Sequence, residues 1–213
     1  MYNTVFFDLD GTITDSSAGI LNSVEYALKK YGAALPAREK LYFFIGPPLD
    51  ASFAELLGIT LTEAATLVKY YREYYRETGI FENLLYSGIE KLLSDIKKTG
   101  RKIVLATSKP EEFAVKILKH FKIDKYFDVI SGATFDGTRS EKDDVLAYAI
   151  EKAGVTDITS CVMVGDRKYD CIGAAHFRMD SIGVLYGFGN RDELTAAGAR
   201  YIAETPDDIF NCL

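Results

Sequence analysis

The sequence predicts an α/β protein with a doubly wound, Rossmann-like parallel sheet as its core and a small all-helical cap domain. Two observations support this fold class. Short, continuous apolar runs alternate with amphipathic helical patterns, as in parallel sheets covered by helices on both faces. A helical stretch of residues 15–85 separates the first run from the second and is too long for a simple crossover. We therefore predict a core domain of residues 1–14 and 86–213 and a cap domain of residues 15–85.

The predicted strands of the core are apolar runs rich in β-branched residues. They lie at Thr4–Asp8, Lys102–Thr107, Phe127–Ser131, Cys161–Asp166 and Ser181–Leu185. Apolar residues are continuous in these runs rather than alternating, which is typical of strands buried on both faces. Helical patterns separate the last four runs. One carries an apolar stripe that includes Phe113 and Ile117, and another is closed by Gly154.

The predicted cap consists of helices with recognisable ends. The first begins at a cap residue, Asp15 or Ser16, and stops at Gly32. A later helix opens with a capping box from Thr60 to Glu63 and stops at Gly79. Between them, the Gly-Pro-Pro sequence at residues 46–48 breaks the helical pattern and indicates a rigid loop. We expect this loop to influence substrate choice or to be purely structural.

Composition excludes several classes of partner. The 213 residues carry a net charge of −6 without a block of Lys or Arg, so we expect neither a nucleic-acid nor a membrane partner. No apolar run approaches membrane-spanning length. The three cysteines form no CxxC pair, which is typical of a reducing compartment. The expectation is a cytoplasmic protein that is a monomer or a weak homodimer.

Acids and hydroxyls follow the predicted strands at the point where each strand ends. They are Asp8 and Asp10 after the first strand, Thr107 and Ser108 at the end of the second, and Asp166 after the fourth, with Asp170 one helical turn later. In a doubly wound sheet these strand ends meet at the topological switch. Carboxylates that face one another repel, and they lose hydration unless a cation offsets their charge. Oxygen ligands without nearby His or Cys favour Mg²⁺, so we predict a magnesium and phosphoryl site.

Three motifs carry a family resemblance. "DLDGTITDS", "LATSKP" and "VGDRKYD" resemble the motifs of the haloacid dehalogenase superfamily, and the insert after the first strand resembles its phosphoglycolate-phosphatase-like branch. The similarity spans nearly the entire chain. It implies that Asp8 attacks phosphorus to form an aspartyl-phosphate, and that Asp10 acts as general acid and base while its carbonyl touches Mg²⁺. It also implies that Asp166 holds Mg²⁺ and that Asp170 supports the ion directly or through water.

The same resemblance assigns groups that would bind the phosphate. Thr107 matches the hydroxyl that binds a phosphoryl oxygen, with Ser108 as the alternative. Gly11 and Thr12 match the turn whose backbone amides reach the phosphate. The third motif departs from the family pattern because no Pro follows its basic residue. Lys142 stands where the family has its Lys, with Arg139 as the alternative.

Two further basic residues, Lys109 and Arg167, adjoin the motifs. Each is interpreted either as an aid to phosphate binding or as ordinary surface charge.

The sequence therefore predicts a Mg²⁺-dependent phosphatase that hydrolyses a small phosphate monoester. The branch resemblance favours phosphoglycolate, whereas the "DSSAGI" segment and the Gly-Pro-Pro loop resemble relatives that act on nucleoside monophosphates. A phosphomutase resembling β-phosphoglucomutase is an alternative, although the His that usually follows the first motif in such mutases is missing. A binding protein without turnover and a haloacid dehalogenase are the remaining alternatives.

Overall fold

The computed structural model describes residues 2–213, and the chain divides into two compact units. Of the described residues, the α/β unit comprises 2–15 and 85–213, and the helical unit comprises Ser16–Leu84. The chain passes from one unit to the other at β2 (Thr14–Asp15) and β3 (Leu84–Leu85), which form a two-stranded sheet.

The α/β unit is built on a six-stranded sheet in which all paired strands are parallel. Its strands are β1 (Thr4–Phe7), β4 (Lys102–Pro110), β5 (Val129–Ala133), β6 (Cys161–Gly165), β7 (Asp180–Val184) and β8 (Tyr201–Ala203). Their order in the sheet is β5-β4-β1-β6-β7-β8, which confirms the predicted fold class. The direction of winding reverses at β1, so the carboxyl ends of β1, β4 and β6 lie side by side.

Helices cover the core sheet and close its apolar interior. They are α4 (Ile89–Lys98), α5 (Glu111–His120), α6 (Lys142–Lys152), α7 (Lys168–His176), α8 (Arg191–Ala196) and α9 (Pro206–Asn211). Phe6 of β1 lies in register with Val104 of β4 and Met163 of β6, and all three side chains are fully buried. They pack in one cluster with Val145 and Ala174, which belong to α6 and α7. Burial of each large apolar side chain contributes about 1.5–3 kcal/mol, so this cluster fixes α6 and α7 against the strands that carry the predicted motifs.

The helical unit contains α1 (Ser17–Tyr31), α2 (Leu49–Leu57) and α3 (Leu61–Glu77), with short 3₁₀ segments at Arg38–Phe44 and Gly79–Phe81. The capping box predicted for α3 is confirmed. The amide of Glu63 donates to Oγ1 of Thr60 at 3.3 Å, and the amide of Thr60 donates to Oε2 of Glu63 at 2.8 Å. Within residues 2–213, no single helix has the length and apolar composition of a membrane span, although α2 and α3, bent by 116°, meet those criteria as a pair.

Candidate active site

Three of the predicted acids come together at the carboxyl ends of two neighbouring strands. Asp8 follows β1, Asp166 follows β6, and Asp170 lies in the first turn of α7. The amide of Asp8 donates to the carbonyl of Val164 at 2.9 Å and so continues the pairing of the two strands. One carboxylate oxygen of each acid lies within 4.8 Å of the others. This three-acid cluster is the centre of the candidate site.

The three-acid cluster fits a hard divalent cation. All of its donor atoms are carboxylate oxygens, which Mg²⁺ prefers at about 2.1 Å. Burial, and then the charges of Asp170 and Asp8, raise the pKa of Asp166 well above its usual range. Burial also raises the pKa of Asp8, although Lys142 opposes the shift. Both shifts mean that the cluster lacks positive charge, which a divalent cation would supply.

Lys142 supplies part of this positive charge. It is the first residue of α6, its side chain is 8% exposed, and its ammonium donates to Oδ1 of Asp8 at 2.9 Å. The same ammonium lies 2.7 Å from Oδ1 of Asp170 and donates to the carbonyl of Ala106 at 3.1 Å. Burial lowers the pKa of Lys142, but Asp170 and Asp8 outweigh that effect and the net shift is upward. Lys142 therefore stays charged between two of the cluster acids.

Arg139, the alternative to Lys142, lies among other partners. Its Nε donates to the carbonyl of Gly132 at 2.7 Å, and its Nη2 lies 3.2 Å from Oε2 of Glu111. The guanidinium also stacks on the ring of Tyr148, 3.8 Å from the ring centroid. These contacts hold the loop after β5 against the start of α5. Lys142 therefore contacts the acids of the cluster, whereas Arg139 contacts Gly132 and Glu111 and stabilises the loop after β5.

Asp10 lies two residues beyond Asp8 and pairs with a different lysine. Oδ2 of Asp10 accepts a hydrogen bond from the ammonium of Lys109 at 2.6 Å, and the Lys109 side chain is only 6% exposed. The surface-charge interpretation of Lys109 is therefore wrong. Arg167, the other basic residue beside a motif, donates from Nε to Oε1 of Glu193 at 2.9 Å.

The turn at Gly11 and Thr12 is closed by its own backbone hydrogen bonds. The amide of Gly11 donates to the carbonyl of Thr14 at 2.8 Å, and the amide of Thr12 donates to the carbonyl of Leu9 at 3.3 Å. These two hydrogen bonds fix the shape of the turn, and phosphate binding by backbone amides of the turn stays a prediction. Gly11 has a φ of +81°, and a Cβ there would lie 2.1 Å from Oδ2 of Asp166. Only glycine fits so closely against this acid.

The hydroxyl residues at the end of β4 occupy unequal positions. Thr107 is 2% exposed, and its hydroxyl forms a hydrogen bond with Asp8 that lowers the pKa of this acid against the effect of burial. Its Oγ1 also accepts a hydrogen bond from the amide of Lys109 at 3.3 Å. Ser108 is half-buried at the next position. Of the two candidates, Thr107 is the one in contact with the nucleophile candidate.

Sequence reasoning missed the loop at residues 185–190, which follows β7. The amide of Phe188 donates to Oδ2 of Asp166 at 2.7 Å, and the hydroxyl of Tyr186 donates to the carbonyl of Thr12 at 3.0 Å. A Cβ on Gly187 would lie 2.4 Å from Cβ of Asp166, so the loop backbone packs tightly on the acid. The signal was the sequence "YGFG" directly after a buried strand. Two glycines at a strand's carboxyl end indicate a close backbone approach.

A profile described as haloacid dehalogenase-like hydrolase matches residues 5–184. The chain belongs to this family. A crystal structure of a predicted phosphatase from Clostridium acetobutylicum is 46% identical and superposes with a TM-score of 0.94, covering 100% of this chain and 98% of that one. The family and its phosphatase neighbours identify the chain as a phosphatase of the haloacid dehalogenase type.

Three curated relatives differ in the activity that their names give. A 5′-nucleotidase of Pseudomonas aeruginosa is 41% identical over 92% of this chain and 88% of its own length. Tyrosine-protein kinase PtkA of Mycobacterium tuberculosis is 38% identical over 98% of this chain and 72% of its own length. A phosphoglycolate phosphatase of Colwellia psychrerythraea is 26% identical over 97% of this chain and 94% of its own length.

Proposed function

We propose that this protein is a Mg²⁺-dependent phosphatase that hydrolyses nucleoside 5′-monophosphates through an aspartyl-phosphate on Asp8. The observation that carries the chemistry is the position of Lys142 between Asp8 and Asp170, at 2.9 and 2.7 Å, beside the buried Asp166. A buried ammonium between two acids can neutralise both a carboxylate nucleophile and an incoming phosphoryl group. The nucleotide substrate is supported by the relative at 41% identity.

Mg²⁺ would be held by the side chains of Asp8, Asp166 and Asp170 and by the carbonyl of Asp10. When bound, it would neutralise charge on the phosphoryl oxygens. Phe188 fixes Asp166 through its amide, and Lys142 fixes Asp170 through its ammonium. The chain's own residues thus hold the oxygen ligands in place before substrate arrives, which lowers the cost of ordering them during the reaction.

In the first step, a carboxylate oxygen of Asp8 attacks phosphorus and the bond from phosphorus to the ester oxygen breaks. Asp10 donates a proton to that oxygen, so the product leaves as a neutral alcohol. Thr107 and Lys142 contact Asp8 and orient it for attack. Phosphate-ester hydrolysis is among the slowest uncatalysed reactions, so neutralisation of charge around phosphorus is the main task of the site.

In the second step, a water molecule attacks phosphorus and the bond to Asp8 breaks, which regenerates its carboxylate. Asp10, now ionised, takes one proton from that water and returns to its starting state. Inorganic phosphate is released. Asp10 lies two residues from Asp8 in the turn that follows β1, so one residue can serve both proton transfers.

Phosphoglycolate is the second candidate substrate, because a relative named phosphoglycolate phosphatase matches 97% of this chain at 26% identity. A cytoplasmic location and a monomeric or weakly dimeric state stay predictions.

A tyrosine kinase activity, suggested by one relative's name, differs in that the phosphoryl group would move to a tyrosine hydroxyl instead of water.

A phosphate-release screen tests the proposal. Nucleoside 5′-monophosphates, phosphoglycolate and hexose phosphates would be incubated with Mg²⁺ or with EDTA, beside the Asp8→Asn variant. We expect the highest kcat/KM with a nucleoside 5′-monophosphate and loss of turnover in EDTA and in the variant. Full activity of Asp8→Asn would refute the nucleophile assignment. A preference for phosphoglycolate would refute the nucleotide assignment alone.

A further inference from the structure

Lys109 occupies an unusual position for a lysine near the end of a strand. It follows Thr107 and Ser108 at the end of β4, and its side chain is only 6% exposed. A buried ammonium loses several kcal/mol of hydration unless an opposite charge compensates for it. That compensation comes from Asp10, whose Oδ2 accepts a hydrogen bond from the ammonium at 2.6 Å. The burial of Lys109 is therefore accompanied by an ion pair with Asp10.

The two oxygens of Asp10 have different surroundings. Oδ2 accepts the hydrogen bond of Lys109, whereas Oδ1 is buried and accepts no hydrogen bond from any residue in the range 2–213. Rotation about the last bond of an aspartate side chain is broad, so a carboxylate without a fixed partner samples many orientations. A hydrogen bond to one oxygen fixes the plane of the group. Lys109 thus leaves Oδ1 as the oxygen that can exchange a proton.

The backbone of Lys109 is fixed as well. Its amide donates to Oγ1 of Thr107 at 3.3 Å, and the hydroxyl of Thr107 contacts Asp8. The same short segment therefore orients the nucleophile candidate through one residue and the proton carrier through another.

We propose that Lys109 is a positioning residue that holds Asp10 so that Oδ1 delivers the proton to the leaving oxygen. This inference rests on the proposed function. In the step concerned, the bond from Asp8 to phosphorus forms, the bond from phosphorus to the ester oxygen breaks, and the Oδ1 proton of Asp10 moves to that oxygen. Lys109 itself exchanges no atom and keeps its charge.

The test compares two phosphate monoesters that differ in their need for this proton. An aryl ester releases a stable phenolate without protonation, whereas an alkyl ester depends on the general acid. We expect Lys109→Met to lower kcat/KM for the alkyl ester by about 10–100-fold, which is at or below the usual contribution of a general acid. The same variant should change kcat/KM for the aryl ester by less than about threefold. Lys109→Gln, which retains a hydrogen-bond donor, should lose less on the alkyl ester.

A double variant separates positioning from other roles. If Lys109 acts through Asp10, then Lys109→Met should cause no further loss on the alkyl ester in an Asp10→Asn background. Lys98→Met is the matched control, because Lys98 is 71% exposed on α4 and should show wild-type kinetics with both esters. Thermal denaturation of each variant monitors folding, and Lys109→Gln takes the place of Lys109→Met if the latter does not fold.

Equal losses on both esters would overturn the positioning role and would leave the proposed function intact. An additional loss in the Asp10→Asn background would overturn it as well. A wild-type protein that releases no phosphate from either ester would instead overturn the proposed function, and the role of Lys109 with it.

Discussion

Replacement of Lys142 by methionine provides the most direct test of the site. The substitution preserves most of the side-chain volume but removes an ammonium that is 8% exposed and contacts Asp8 and Asp170. Removal of one partner from a buried ion pair costs about 3–5 kcal/mol because an uncompensated charge stays behind. Here two carboxylates lose the same cation, so we expect the metal-free variant to lose at least about 3 kcal/mol of its free energy of unfolding.

Bound Mg²⁺ should restore part of this stability, because it supplies positive charge to the same carboxylates. Activity should not recover in the same way. The lysine would neutralise the nucleophile and the phosphoryl group during transfer, so kcat should fall by about 10²–10³-fold even with saturating Mg²⁺. The assays are urea denaturation with EDTA or Mg²⁺ and phosphate release from the best substrate.

Arg139→Met is the matched control, because sequence alone left Arg139 and Lys142 as alternatives. Arg139 donates to the carbonyl of Gly132 and pairs with Glu111, and loss of these hydrogen bonds costs about 1–3 kcal/mol. Its kcat should stay close to that of the wild type. The reasoning is refuted if Lys142→Met releases phosphate at the wild-type rate, or if Arg139→Met loses as much activity.

Two more predictions concern the acids of the cluster. The pKa values of Asp8 and Asp166 are raised in the folded state. The metal-free native state therefore binds protons more tightly than the unfolded chain. The free energy of unfolding should fall as pH rises from about 4, the pKa of an unfolded aspartate, through the raised pKa values of the folded state. Urea denaturation in EDTA should show this fall, Mg²⁺ should flatten it, and Asp166→Asn should reduce it and abolish stabilisation by Mg²⁺. Gly11→Ala forces a Cβ against Asp166 at a positive φ and should cost more than about 1–3 kcal/mol. Gly100→Ala, whose Cβ would meet open space at a similar φ, should cost less and leave Mg²⁺ binding unchanged by calorimetry.

Most of the core fold could be predicted because its strands are continuous apolar runs. Each of the predicted runs contains most of a core strand, namely β1, β4, β5, β6 and β7. The sequence did not indicate β8, because Tyr201–Ala203 is only three residues long and sits at the sheet edge next to β7. So short a run carries no periodicity, and its pairing depends on the strand already in place.

The acids of the site could be predicted because each directly follows a strand or opens a helix. The partners that fix them could not. Phe188 donates a hydrogen bond from its backbone amide to Asp166. Almost every residue type has such an amide, so the residue type at position 188 does not indicate the contact. Lys109 and Asp10 are 99 residues apart, and only the neighbouring positions of β4 and β1 bring them together. Lys142 and Arg139 are close in sequence, so only the direction of the chain into α6 separates their roles.

The pairing of lysines with acids explains how similar carboxylates can take different roles. Within the three-acid cluster, Asp8 and Asp170 both contact Lys142. Asp10 pairs with Lys109 instead, and its side chain lies outside the cluster. The three carboxylates of the cluster, with the one ammonium of Lys142, lack two positive charges, which is the charge of one divalent cation. If that ion binds in the cluster, it would neutralise Asp8, Asp166 and Asp170 and would leave the Asp10 side chain to exchange protons. The same residue type could therefore serve as the proposed nucleophile in one position and as the proposed proton carrier two residues later, because each position has its own lysine.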